Sequence, residues 1–499
     1  MEHAVLHPWL RTGVRVAYLP RTRTPLIDRT ATALSEAFAV LGHSMQSEPD
    51  ERTDAVITTA VYGEHVPWRE AALFNVRRIW KLPHSPVVYT LLHINTADFR
   101  AALIQLRRAL ARDLLDPADF EFAGLSPSAY HVLTEQGTRG GPILALQRLI
   151  QAQCKCLRVL LAVGDDTPEL IYHFDLPGAY PVSQGETLAE VARDAVLRLV
   201  TTVSTHDISD HRMAGDPVPR TVWQALSTPQ AMLRAGVELG GRGFFTEMIR
   251  VADLVAVPAV GDSIAAHYSE GCYATYEPEL EGLIATVTGR ARPMTKDSIT
   301  EDDLAVITGV RDDWLGAITR EVEGSYNLPA SSEAVEMAAI DAVLPRIAWD
   351  GREVPVVRSK LHGHRGIGAY DPEVCEYVPL AEAYHHYLVS CGSEAQALGI
   401  QQALGTSQAL NNPDDPRRLV FTILPGHGVF IVEKWAAGKA PFQLIWEAMD
   451  SGALEVISRM PQGAVRYIPE GGCLVLDRAC LMDPAEDDAA ATSGSQARL

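Results

Sequence analysis

Basic charge is what this chain is shortest of. Its 43 lysines and arginines face 63 aspartates and glutamates, for a formal net charge of −20 at pH 7. The shortfall is lopsided. Residues 1–230 carry 25 acidic and 22 basic side chains, giving −3, and residues 231–499 carry 38 and 21, giving −17. With no basic stripe anywhere, a nucleic-acid partner is excluded. Cysteine is sparse too. The seven (154, 156, 272, 375, 391, 473 and 480) are an odd number scattered over 499 residues, which is no disulfide framework. They read as buried, reduced thiols, and Cys154-Lys155-Cys156 is too isolated to bind zinc by itself. No apolar run approaches the roughly 20 residues that cross a bilayer. Met1-Glu2-His3-Ala4-Val5 lacks the basic-then-apolar start of a signal peptide. A cytoplasmic protein without a membrane partner is the expectation. Dinucleotide and P-loop fingerprints are missing as well: Thr138-Arg139-Gly140-Gly141-Pro142 has neither spacing and reads as a turn.

What is present in the first half is strand–helix alternation. Val14–Leu19, Asp54–Thr58, Pro86–Leu92 and Leu157–Val163 read as strands. Between them lie helical patterns: one through Leu34, Phe38 and Leu41 that stops at Gly42, one from about Asp98 to Leu115, and one near Ile143–Cys154. Alternation of this kind predicts a doubly wound, mostly parallel sheet. Its ligand loops would be Pro20–Thr24, Thr59–Gly63, His93–Asn95 and Gly164–Thr167, at the carboxyl ends of the strands. The polar run Ser204–His211 holds two histidines and two aspartates and reads as a solvated loop. A Pro-containing stretch, Asp216–Arg220, marks a boundary before a helical region from Val222 to Val251. The expected organisation is therefore an α/β domain of unassigned role over 1–220, a second domain over 221–480, and a disordered acidic tail over 481–499.

The second half carries the chemistry. Val354-Pro355-Val356-Val357 is a strand-like run leading into Lys360-Leu361-His362-Gly363-His364. If the backbone stays extended, the two histidines at i and i+2 leave the same face, where both can grip one metal ion. His427, in Gly426-His427-Gly428, follows another apolar run, Leu419–Ile423, and its flanking glycines allow close backbone approach. Glu333 lies upstream in Ser331-Ser332-Glu333, a tripeptide that alone would read as a helix amino-terminal cap. Three imidazoles and a carboxylate suit Zn2+, or another divalent ion such as Mn2+, Fe2+ or Co2+, with a position left for substrate.

Several islands, in order, resemble the class II (zinc-dependent) aldolase/adducin family over roughly the last half of the chain. Leu283–Gly289 is similar to its strand ending in Thr-Gly, and Ile299–Ile307 to its segment of threonine, acid and apolar strand. Ser331-Ser332-Glu333, His362-Gly363-His364 and His427-Gly428 are similar to its remaining motifs. The resemblance implies an aldolase-like α/β domain built on a central sheet, with zinc held by His362, His364 and His427. Glu333 would be ligand or general base, leaving the metal when substrate arrives. Thr288, Gly289, Ser331 and Ser332 would hold the substrate, as they hold its phosphate in sugar-phosphate members. It further implies a symmetric homo-oligomer and a lyase of carbohydrate metabolism. Such a lyase cleaves a hydroxylated carbonyl compound, a sugar or sugar derivative, by retro-aldol chemistry through a zinc-stabilised enediolate. An epimerase or isomerase using the same metal site is the alternative, and an adducin-like, non-catalytic module is the lower one, since that branch lacks the metal ligands.

Three departures from the family pattern matter. Gly261-Asp262-Ser263 stands where phosphate-binding members carry asparagine, which implies either an unphosphorylated substrate or a rebuilt loop. Glu333 and His362 are 29 residues apart, predicting an insertion around Trp349-Asp350-Gly351. The tyrosine that serves as acid to the departing aldehyde is not singled out by any motif: Tyr377 and Tyr384 are the candidates, with Tyr387 behind them. His385 and His386 read as belonging to a helix near the site. Arg358 and Lys360 would neutralise an acidic substrate or pair with the abundant carboxylates.

Overall fold

The computed structural model describes residues 11–64, 66, 86–111, 158–175, 179–182, 187–205, 210–245, 271–288, 296–382, 384, 389, 392–424, 427–457, 467–470 and 472–476, with isolated positions between 143 and 156. The chain is mixed α/β, with its strands gathered mainly into two large sheets.

The first sheet has seven strands in the order β2-β1-β3-β4-β5-β6-β7. These are β1 (Arg15–Leu19), β2 (Ser44–Gln46), β3 (Ala55–Val61), β4 (Val87–Ile94), β5 (Arg158–Val163), β6 (Leu170–Phe174) and β7 (Ala179–Pro181). The first five run parallel, as the alternation predicts, while β6 and β7 add antiparallel at one edge. Strand β4 is buried at every position but His93, because both faces of the sheet are covered. Tyr89, Leu91, Leu160 and Ala162 pack under α1 (Pro25–Val40). Val88, Leu92, Val159 and Leu161 pack with α2 (Thr96–Ala111), through its Phe99, Ala102, Leu103 and Leu106, on the other face. Thr24 caps α1, accepting the Ile27 N–H at 3.1 Å. A capping box between Thr187 and Glu190 starts α3 (Leu188–Ser204).

The second sheet has nine strands, mostly antiparallel, in the order β17-β18-β19-β15-β9-β10-β11-β12-β8. In chain order they are β8 (Arg212–Met213), β9 (Cys272–Glu277), β10 (Gly282–Thr286), β11 (Leu304–Val310), β12 (Ala317–Arg320), β15 (Val357–Gly363), β17 (Cys375–Tyr377), β18 (Leu419–Leu424) and β19 (Gly428–Lys434). Strand β8 lies upstream of the expected boundary at 216–220, because Asp210–Val218 is already stitched to Leu315–Glu323. The helical region after the boundary comprises α4 (Arg220–Ala225) and α5 (Thr228–Gly241). One face of this sheet packs on α6 (Ala334–Ala339), α7 (Glu394–Gly405) and α8 (Gln408–Asn411). The other packs on α5 and α9 (Gln443–Ser451).

The stretch around Trp349-Asp350-Gly351 forms a hairpin, β13 (Arg346–Trp349) and β14 (Arg352–Pro355). Asp350 and Gly351 turn it with φ of 48° and 76°, the left-handed pair that a two-residue hairpin turn requires. Trp349 packs at a tilt against Trp435, ring centroids 5.3 Å apart, and the Trp435 indole N–H donates to Pro355 O at 2.8 Å, so the hairpin is anchored to the end of β19. A small sheet joins β16 (Gly366–Tyr370), β20 (Leu454–Ile457), β21 (Tyr467–Glu470) and β22 (Cys473–Leu476). No described helix is long and apolar enough to cross a membrane. Cysteines 154, 156, 272 and 375 are buried and 473 is exposed, none of these five in a disulfide, while 391 and 480 lie outside the described residues. The expected tail, 481–499, lies outside them too.

Candidate metal centre

Strand β15 carries His362 at its penultimate position, and His364 stands one residue past its end, at a bend. Strand β19 pairs with β15, setting Val429 against Gly363 and Phe430 against His362. The residue just before β19, His427, is thereby delivered to the same end of the sheet. This convergence needs glycine at 428: a Cβ there would lie 2.0 Å from the Gly363 carbonyl oxygen. The three imidazoles form a triangle with centroids 5.3, 4.9 and 4.9 Å apart.

Glu333 completes the group from α6. It occupies the position before the first helical residue, yet its side chain makes no capping bond. Instead its carboxylate lies 3.2 Å from His362 Nε2, and Ser331 Oγ donates to the other oxygen at 3.5 Å. One ligand atom from each of Glu333, His362, His364 and His427 lies within 4.8 Å of all the others, and all four residues are buried.

The chemistry of His362 tests whether a metal suits this pocket. Its Nδ1 is 3.1 Å from Val429 O, and a carbonyl only accepts, so Nδ1 carries the proton. A neutral ring then directs the Nε2 lone pair at the Glu333 carboxylate, an arrangement that calls for a cation between them. A backbone-anchored second nitrogen is also the usual outer contact of a metal-binding histidine. Burial pushes the Glu333 carboxyl up; when His362 is protonated at both nitrogens instead, its charge and hydrogen bond, with the Cys272 thiol and His427, outweigh that and hold the group at about 2. Glu333 is therefore an anion at neutral pH. Three imidazoles and one carboxylate, buried and convergent, fit a borderline divalent ion.

The remaining expected site residues fare differently. Thr288 N donates to Pro329 O at 2.9 Å and Ser331 N to Thr286 O at 3.1 Å, so the end of β10 and the Ser331-Ser332-Glu333 turn are bound together. Gly289, Gly261-Asp262-Ser263, His385, His386 and Tyr387 lie outside the described residues. Tyr377 is not brought to the metal group. It pairs with Phe421, which pairs with Ile431, which pairs with Leu361, so its side chain leaves the sheet on the face opposite His362. Its ring packs on Phe421 at 5.3 Å. Tyr384 is on the correct side but points elsewhere: its hydroxyl donates to Ala395 O at 2.9 Å and its ring lies over Gly399 of α7. Burial pushes that phenol up to about 12.

The flanking cations take structural partners. Lys360 pairs with Asp341 at 2.6 Å. The Arg358 guanidinium lies 4.8 Å over the Trp435 ring and donates to Lys439 O. Of the expected polar loop, residues 206–209 lie outside the described residues; Asp210 is exposed and pairs with Arg311, and half-buried His211 accepts the Ala317 N–H through Nδ1 at 3.0 Å. The carboxyl-end loops of the first sheet close on one another. Thr24 Oγ1 meets His93 Nδ1 and His93 Nε2 meets Gly164 O, both at 2.9 Å, while Thr22 and Arg21 bond Glu64.

Two neighbours of the centre went unnoticed in the sequence. Cys272 opens β9 opposite His362, and burial and then the charge of Glu333 push its thiol well up. Lys296 is buried within electrostatic reach of both Glu333 and Cys272. Nothing in their local sequence marks either one, because strand register alone brings β9 beside β15.

No protein-family model matches this chain, and no curated protein does. Among solved structures, an L-fuculose 1-phosphate aldolase aligns with 46% of this chain and 84% of its own at 14% identity, with a TM-score of 0.24, a likeness too slight to bear on fold or activity.

Proposed function

We propose that the protein is a metal-dependent lyase that cleaves or forms a carbon–carbon bond in a small hydroxylated carbonyl compound such as a sugar or sugar derivative. The observation that carries this reading is the buried convergence of Glu333 with three imidazoles at one end of the second sheet. A divalent ion bound there supplies a Lewis acid that stabilises negative charge developing on substrate oxygens. His362, His364 and His427 hold it. Glu333, an anion at neutral pH beside that position, takes up or returns the substrate proton. The hydroxyls of Thr288, Ser331 and Ser332, at the joined end of β10 and the Glu333 turn, hydrogen-bond the substrate's polar groups and fix its orientation.

The test is a screen of metal-loaded protein against ketoses, hydroxy acids with a carbonyl, and their phosphate esters, reading released aldehyde. Release of two fragments from at least one compound, abolished in Glu333→Gln, is the expected result. Conversion of every active compound to a single isomer would contradict cleavage and favour the epimerase or isomerase reading.

A further inference from the structure

Two deeply buried polar groups have no partner in the fold, the side-chain amide nitrogen of Gln396 and the hydroxyl of Thr422. Gln396 is 4% exposed and Thr422 0%. Each carries a desolvation cost that a partner from outside the chain would remove. Both face the layer between α7 and the second sheet. Thr422 alternates with Val420 and Leu424 along β18 and shares their face. Gln396 shares a face of α7 with Ile400 and Ala403, the next residues at helical spacing, and those two pack on that same side of the sheet. Ala397, on another side of α7, packs on α6 instead.

This layer adjoins the metal centre. Thr422 pairs with Phe430 and Phe430 with His362, so Thr422 stands two strands from His362 in one cross-strand row, roughly 10 Å away between backbones. The Phe430 ring between them stacks on His362 with centroids 6.2 Å apart. The start of α7 is held at the same end of the sheet. Gly392 N donates to Glu336 Oε1 at 2.6 Å, and Glu336 lies one helical turn beyond Glu333 on α6. The far end of α7 is fastened away from the metal, where Ser407 Oγ donates to Glu376 Oε2 at 2.6 Å and Glu376 pairs with Val420. Gln396, in the first turn of α7, is therefore on the metal side of the layer. An amide and a hydroxyl are uncharged, and the side chain that fixes the turn before α7, Glu336, is acidic. A hydroxylated chain offers oxygens that accept from the Gln396 amide and O–H groups that donate to Thr422, whereas a phosphate would be buried against an acid. We propose that Gln396 and Thr422 form a specificity subsite that takes the neutral, hydroxylated tail of a substrate chelated at the metal, resting on the metal-site reading above.

Hydroxamates, which chelate through two oxygens, titrated into Co2+-loaded protein test this through the visible absorption of the ion. Glycolohydroxamate has no tail, erythronohydroxamate and threonohydroxamate have a neutral hydroxylated one, and their terminal phosphate esters have a charged one. In the parent, one of the two neutral tailed compounds is expected to bind about tenfold more tightly than glycolohydroxamate. Gln396→Met and Thr422→Val are each expected to remove most of that gain while glycolohydroxamate binds as before. Each variant, metal-free, is expected to unfold at the parent's urea midpoint or above it, because it deletes a polar group that the fold leaves unpaired. Loss of stability in both variants would assign the pair to the fold and overturn the proposal. Neutral tailed compounds that bind the parent no better than glycolohydroxamate, as when the two groups only share a water, overturn it too. So does a gain that survives in both variants, or a phosphorylated tail that binds more tightly than a neutral one. A parent protein that takes up no Co2+ overturns the metal reading, and this inference with it.

Discussion

Lys360 stands two residues before His362 on the same face of β15, fully buried, with its ammonium 2.6 Å from Asp341. Asp341 lies in the turn that follows α6, and α6 begins at the residue after Glu333. One ion pair therefore fastens the segment bearing the carboxylate ligand to the strand bearing two imidazoles. Burial pushes the Lys360 ammonium down and the Asp341 carboxyl up, and each opposes the shift in the other. Removing one partner strands a buried charge, so Lys360→Met or Asp341→Asn alone is expected to cost about 3–5 kcal/mol. The double variant Lys360→Met/Asp341→Leu is expected to recover most of that. Urea unfolding midpoints check both, and additive losses would show that the two groups do not act as a pair. Much of this residue-level chemistry was legible. Histidines spaced i and i+2 in an apolar strand point to a common target before any contact is known. Glu333 was ambiguous because a serine-rich turn before a helix is a cap in most settings, and only the aim of its side chain distinguishes ligand from cap. The tyrosines misled for a different reason. A sheet covered on both faces buries aromatics on either one, and the sequence near Tyr377 does not say which face is which.

At the scale of elements, the centre depends on how closely β19 approaches the end of β15. Gly428 allows it, since any Cβ would meet the Gly363 carbonyl. Gly428→Ala is expected to lower metal affinity by at least about tenfold, an effect on the scale of losing a ligand's outer contact, while circular dichroism stays that of the parent. Retention of full affinity would mean that the strand ends tolerate a shift the geometry forbids. The His-Gly pair was visible in the sequence together with the physical reason for the glycine. The antiparallel additions to the first sheet were not: the turn before β6, Gly164–Thr167, reads equally as a ligand loop at the end of a parallel strand, and Leu170–Phe174 is a short run. The hairpin β13–β14 has a local signal in Asp350-Gly351, a pair that favours a two-residue hairpin turn. Its anchoring by Trp349 against Trp435 depends on a partner 86 residues away.

For the whole molecule, the two sheets have separate cores, and the first has its own acid sensitivity. His173 is buried between β6 and α3, with Tyr89 Oη 2.8 Å from its Nε2. Burial, followed by the charges of Arg198 and Arg158, pushes it well below the usual 6.5. The unfolded chain therefore takes up a proton below about pH 6.5 that the folded chain refuses, and stability is lost as pH falls through that range. Unfolding midpoints at pH 7.5 and 5.5 should show the loss, and His173→Gln should reduce it. An unchanged pH dependence in that variant would assign the acid sensitivity elsewhere. The alternation of strands and helices was enough to expect this parallel sheet. The second sheet was harder to foresee, because its paired strands lie up to 106 residues apart, and register over such distances leaves no local trace. The claim on which the rest stands is that the ends of β15 and β19 and the start of α6 hold one divalent ion. Metal analysis of the purified protein beside His364→Ala tests it most directly. The account predicts a metal in the parent that is largely lost in the variant, with the fold retained. Equal metal content in the two would contradict it.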